Sequence, residues 1–125
     1  MDENDISYLV RGAIFKTYHT LGPGLLESAY EAILIYLLTE DGLSVRRQVP
    51  LPIIFNKIKL KTGYRVDLLV NNLVIIEIKS NEMLAPVHHK QVLTYLKLSG
   101  IKLGLLVNFN TSNIAASIHR KVNGL

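Results

Sequence analysis

The chain has 125 residues, enough for one domain and too few for two. With 49% hydrophobic and 19% charged residues and a mean hydropathy of +0.26, it carries the material for a buried core, which excludes a disordered chain. The absence of cysteine excludes disulfide frameworks, thiolate zinc sites, iron–sulfur clusters and cysteine nucleophiles, while a net charge of +4 admits nucleic acid as a partner without arguing for it.

Residues 5–21 predict an amphipathic helix, because Ile6, Leu9, Ala13, Ile14, Thr17 and Leu21 recur at helical spacing and Asn4 or Asp5 can cap the start. Gly22-Pro23-Gly24 breaks the chain. A second helix follows over 25–41, stopped by Gly42. Its apolar face (Leu26, Ala29, Tyr30, Ile33, Leu34, Leu37, Leu38) is wide enough to predict a homodimer. Val45, Val49, Ile53, Ile54 and Phe55 are β-formers, and Pro50 and Pro52 among them predict an edge strand or a strand with an irregular end. Residues 58–70 read as one strand, with Ile58, Leu60, Tyr64, Val66, Leu68 and Val70 at even positions, and Asn71-Asn72 marks a turn. Residues 73–79 are almost continuously apolar, the pattern of a central strand covered on both faces. Pro86 opens a third helix over 86–98, which Gly100 closes. Leu103 to Val107 is a fourth strand, and Thr111 or Ser112 caps a short last helix through Ile118. The order ααβββαβα predicts a single α/β domain over 1–125, with a central mixed sheet flanked by helices. No stretch supplies the roughly 20 apolar residues of a membrane span, and the acidic start Met1-Asp2-Glu3-Asn4-Asp5 is unlike a secretory signal, so a cytoplasmic protein is expected.

Three charges are out of place. Asp67 lies within Tyr64-Arg-Val-Asp-Leu-Leu-Val70, and Glu77 and Lys79 lie within Val74-Ile-Ile-Glu-Ile-Lys79. A charge inside an apolar strand is costly unless it is paired or binds an ion. One reading is a salt bridge from Asp67 or Glu77 to Lys79. The other begins from Glu77 and Lys79, two apart and so on one face of a strand. If Asp67 joins them, two carboxylates offer hard oxygen ligands to Mg²⁺, with a lysine beside them to act on water or phosphate. The turn decides between these. A two-residue Asn71-Asn72 loop pairs residue 67 with 76 and turns Glu77 away; a three-residue loop or a bulge sets 67 opposite 77.

Glu27 stands in the first turn of the second helix, where the helix dipole favours an acid, and shares a face with Tyr30 and Glu31. Gln91 and Tyr95 are one turn apart in the third helix, with His88 one turn earlier. Arg46, Arg47, Lys57, Lys59, Lys61 and Arg65 form a basic run without an acid. Alternation puts the three lysines on one face, as a phosphate-binding rim or as an edge strand guarded against aggregation. No P-loop, nucleophile elbow or zinc-ligand spacing is present.

Asp67 followed by Glu77-Ile78-Lys79 resembles the D…(D/E)xK signature of the PD-(D/E)XK nuclease superfamily, although Val66 replaces the usual preceding proline. Gly24-Leu-Leu-Glu27-Ser-Ala-Tyr30 resembles the signature of the GxxExxY protein family, itself similar to those nucleases. Gln48-Val-Pro-Leu-Pro52, Gly63-Tyr-Arg-Val-Asp67 and Leu105-Leu-Val-Asn-Phe109 extend the likeness over about 5–110. The resemblance implies a restriction-endonuclease-like α-β-β-β-α-β core. It also implies a nuclease hydrolysing DNA or RNA with Mg²⁺ or Mn²⁺. Asp67, Glu77, the Ile78 carbonyl and, directly or through water, Glu27 would hold the metal, and Lys79 would act on the water or the phosphate. Tyr30 is expected to pack, with its hydroxyl near the site. Gln91 and Tyr95 resemble the QxxxY element of RecB-like members, which lies beside the active site. The competing expectation is a catalytically idle module of this fold that binds nucleic acid or a protein partner.

Overall fold

A computed structural model describes all residues, 1–125. The elements are α1 (Glu3–Leu21), α2 (Glu27–Glu40), β1 (Val45–Pro50), β2 (Ile53–Phe55), β3 (Ile58–Leu60), β4 (Arg65–Val70), β5 (Val74–Lys79), α3 (Pro86–Ser99), β6 (Leu103–Asn108), one 3-10 turn (Ala115–Ser117) and β7 (Ile118–Val122). Helix α1 starts earlier than its apolar pattern suggests because Asp2 is the cap. The Asp2 carboxylate accepts from the Asp5 N–H and the Asp5 carboxylate from the Asp2 N–H, each at 2.9 Å.

Five strands form the central sheet in the order β1-β4-β5-β6-β7, with β5 and β6 parallel and every other pair antiparallel. The crossover through α3 covers one face, and α1 and α2 cover the other. Residues 74–78 of β5 are all buried, as their apolar run requires of a central strand. Ile76 and Ile78 join Ile6, Ile14, Tyr30 and Leu34 under α1 and α2, whereas Ile75 joins Val66, Leu69, Tyr95 and Leu96 under α3. The α/β core α2-β1-β4-β5-α3-β6 is the expected one, restriction-endonuclease-like with a mixed sheet between helices. On α2 the chain itself buries Tyr30, Leu34 and Leu38 and half-buries Ala29, Ile33 and Leu37, leaving Leu26 exposed. No helix is long and apolar enough to cross a membrane.

Gly104 sets how closely α3 approaches the sheet. A Cβ there would lie 2.8 Å from Val92 Cγ1 and 3.4 Å from Leu96 Cδ2. Val92 and Leu96 are fully buried and cannot swing away. Gly104→Ala is therefore expected to destabilise the fold by about 1–3 kcal/mol, read as a lower urea midpoint. An unchanged midpoint would mean that α3 slides outward freely.

Two expectations about elements are corrected. The strand expected over 58–70 is two strands. Residues 58–60 pair only with β2 in a separate hairpin, and the central sheet resumes at Arg65. Asn56 and Lys57 make the hairpin turn with φ of 48° and 67°. The last helix is absent. A single 3-10 turn leads into β7, which pairs Ile118 with Val107 and Val122 with Leu103. The alternation Ile118-His-Arg-Lys-Val122 suits an outer strand, and the otherwise bare edge of β6 gives it a partner.

Candidate active site

The turn between β4 and β5 settles the register. It has three residues, and Asn71 and Asn72 take left-handed conformations with φ of 51° and 55°, which asparagine tolerates well. The pairs Val70↔Val74, Leu69↔Ile75 and Leu68↔Ile76 follow, and the next position sets Asp67 opposite Glu77. The backbone ladder ends there, and side chains take over its hydrogen bonds. The Asp67 N–H donates to Glu77 Oε1 at 3.2 Å, and the Ile78 N–H donates to Asp67 Oδ2 at 2.8 Å.

Glu77 is buried, and Asp67 is half-buried beside it. Burial pushes the Glu77 carboxyl up to about 9, and the adjacent Asp67 charge acts in the same direction. Glu77 Oε2 accepts no hydrogen bond, and since no buried side-chain oxygen lacks a partner, this oxygen keeps some contact with solvent. Lys79 lowers the Glu77 pKa only weakly and forms no ion pair; the one ion pair in the chain joins Arg47 to Glu31. The salt bridge that would have explained these charges without function is therefore not made.

Lys79 lines a cleft with Tyr64, His88, Gln91 and Tyr95. Gln91 Nε2 donates to Tyr95 Oη at 2.9 Å. The Tyr95 hydroxyl is pushed up to about 12 by burial first and then by the charges of Glu77 and Asp67. The helical pair thus lines the cleft beside Lys79. His88 caps α3 instead, its Nδ1 accepting from the Ala85 N–H at 3.0 Å.

Glu27 is placed apart. Its Oε2 accepts from the Ser80 N–H at 3.0 Å, and it lines a second groove with Leu25, Ser28, Ser80 and Asn110. No group of three or more carboxylate or imidazole side chains converges as a metal cluster, so Glu27 does not stand with Asp67 and Glu77 as a third direct ligand. What the Gly24–Tyr30 segment does is dock the start of α2 on the residue after Lys79. Ser80 Oγ donates to the Leu25 carbonyl at 3.0 Å. The Tyr30 ring stacks on Phe109 at 4.0 Å, and its hydroxyl donates to the Gly22 carbonyl at 2.6 Å, closing the turn rather than facing Lys79.

The basic run is divided. Arg47 is engaged by Glu31 at 3.0 Å, and Arg46 lies at the far end of the sheet, with Nη1 3.4 Å from Asn72 Oδ1. Lys57, Lys59, Lys61 and Arg65 are at the Asp67 end, all exposed. The regular lysine stripe is not formed, since Lys57 occupies the turn and Lys59 shares its hairpin face with Ile54.

Two residues near the carboxylates carried no role in the sequence reading. Glu31 is buried on α2, and Gln48 on β1 reaches both Glu31 and Asp67 through its amide. The signals that point to them are the i, i+4 spacing of Glu27 and Glu31 and the polar run Arg46-Arg-Gln48 within a strand.

The donor set fits a divalent cation. Two neighbouring carboxylates, one of them buried, have no cationic partner, and a hard ion would supply the charge they lack. A family model of the PD-(D/E)XK nuclease superfamily matches residues 4–121. Comparison with curated proteins and with solved structures found no match.

Proposed function

We propose, from the premise that the chain belongs to the PD-(D/E)XK nuclease superfamily, that it is a divalent-metal-dependent phosphodiesterase acting on DNA or RNA. The observation that carries this reading is the register that sets Asp67 opposite Glu77 while leaving Lys79 unpaired in the cleft. Asp67, Glu77 and the Ile78 carbonyl would hold Mg²⁺ or Mn²⁺. When bound, such an ion polarises a phosphodiester and offsets the charge that develops on it. Lys79 places an ammonium beside the same phosphate and orients the attacking water. Gln91 fixes the Tyr95 hydroxyl at the cleft wall. Glu27 acts from outside the metal site, through the Ser80 N–H that anchors the residue after Lys79. The likeness of Gly24–Tyr30 to the GxxExxY family belongs to the same proposal.

The test is cleavage of single-stranded, duplex and branched DNA and RNA with Mg²⁺ or Mn²⁺, stopped by a chelator. Tight binding without cleavage under any metal supports the idle module instead.

The hairpin beside the cleft supports a polyanionic substrate. Lys57, Lys59 and Lys61 sit on it with no acid between Asp41 and Asp67, and the exposed Phe55 and Ile58 offer apolar surface to unstacked bases. Replacing the three lysines with alanine is expected to flatten the slope of log affinity against log salt by about 2–3, at roughly 0.7–0.9 for each phosphate no longer neutralised. A filter-binding series from low to moderate salt measures it, and an unchanged slope removes these lysines from the interface.

A further inference from the structure

Gln48 sits in the middle of β1 with φ of 50°, a left-handed conformation that strands avoid and glutamine rarely adopts. It lies across from Asp67. Strands β1 and β4 pair at Arg47↔Leu68 and again at Val49↔Val66, and the pair between them is missing. Side-chain alternation breaks at the same place in both strands. Val45 and Leu68 pack under α1 and α2, whereas Val49 and Val66 pack under α3.

The break turns the Gln48 amide toward two carboxylates. Nε2 donates to Glu31 Oε2 at 3.0 Å and to Asp67 Oδ1 at 3.4 Å. Carboxylates only accept, so the amide NH₂ must face them. Glu31 is itself fixed, since it is buried and its other oxygen accepts from Arg47 Nε at 3.0 Å. A continuous series of bonds therefore runs Arg47–Glu31–Gln48 and ends on Asp67. The other Asp67 oxygen is held by the Ile78 N–H at 2.8 Å.

We infer that Gln48 is a positioning residue for the metal site: its left-handed backbone carries the amide to where, anchored on Glu31, it locks the Asp67 carboxylate in orientation toward Glu77. The inference rests on the metal reading of Asp67 and Glu77. Outer partners of this kind fix a ligand before the ion arrives, and their loss lowers metal affinity without changing the ligands.

Gln48→Gly separates backbone from amide, because glycine accepts φ of 50° without strain. Mn²⁺ is titrated into wild type and variant by calorimetry, with electron paramagnetic resonance of the free ion as a second readout and thermal midpoints alongside. The expected result is a variant that still unfolds cooperatively, with Mn²⁺ affinity about 10–100-fold weaker. Gln48→Asn, at home in the left-handed region but too short to span both carboxylates, is expected to weaken Mn²⁺ in the same way and gives the same readout should the glycine variant not fold. Wild-type affinity in a folded variant overturns the positioning role. A wild-type protein that binds no Mn²⁺ overturns the metal reading itself, and this inference with it.

Discussion

Lys79→Ala is expected to cut phosphodiester cleavage by about 10²- to 10³-fold, the range for removing one preorganised group that meets charge developing in a transition state, while leaving the fold intact. The two halves of this prediction have separate physical causes. Lys79 forms no ion pair, and its side chain is only partly buried at the end of β5, so removing it leaves no buried partner stranded. Lys79 lines the same cleft as Gln91 and Tyr95, where its ammonium would meet negative charge that enters. Asp67→Ala provides the contrast. It is expected to abolish cleavage and also to lower the thermal midpoint, because the Ile78 N–H loses its acceptor where the ladder has already ended. Single-turnover cleavage at saturating Mg²⁺, run with thermal melts, measures both effects. Cleavage by Lys79→Ala within a few-fold of wild type would remove Lys79 from the chemistry and the proposed mechanism with it.

The second large effect is a pH dependence of stability that disappears in Glu77→Gln. Glu77 titrates at about 9 in the folded chain against 4.5 for an unperturbed glutamate, chiefly because its carboxylate is buried. Between those values the folded state holds a proton that the unfolded state has released. The stability tied to this proton is fully present below pH 4.5 and is lost as pH rises through 9. The metal-free wild type is therefore expected to lose stability across this window, with a slope approaching about 1.4 kcal/mol per pH unit in its middle. Glu77→Gln keeps the shape and cannot ionise, so its curve lacks that fall and it is the more stable protein at pH 8. His89 and His119, both held low by burial, act in the opposite sense as pH drops below 6.5, and they cancel when variant and wild type are subtracted. Mn²⁺ bound as proposed would displace the Glu77 proton, so it is expected to restore wild-type stability at pH 8 and to do nothing for the variant. Urea denaturation of both proteins at pH 5, 7, 8 and 9 with and without Mn²⁺ reads these effects. Parallel curves for the two proteins would show that Glu77 is ionised in the metal-free fold. The same comparison ties stability to function, since the residue that lowers stability at neutral pH is one the proposed metal site cannot lose.

Much of this protein is local, and what is local is legible in the chain. Helices α1 and α3 follow from apolar spacing, and Pro86 and Gly100 bound the second of them because proline fits a first turn and glycine a left-handed cap. The apolar run of β5 announced a central strand, and the charges within it were conspicuous for the same reason: an apolar strand tolerates a charge only at a cost. Asp67, Glu77 and Lys79 could therefore be singled out from cost alone.

What the chain left open were the relations between segments. Both turn lengths suited Asn71-Asn72, and one residue decided whether Asp67 met Glu77 or Ile76, because side chains in a strand alternate with a period of two. The fate of 118–122 depended on an unpaired edge of β6, which no local propensity reports. Glu27 and Glu31 occupy similar helical positions, yet the first went to the Ser80 N–H and the second to Arg47 and Gln48. That choice was made by where α2 lies on the sheet. Residue type and spacing thus determined which groups could do chemistry here, since desolvation cost and periodicity belong to the chain itself. Register, edge pairing and helix placement decided which of them meet, because those depend on partners distant in sequence.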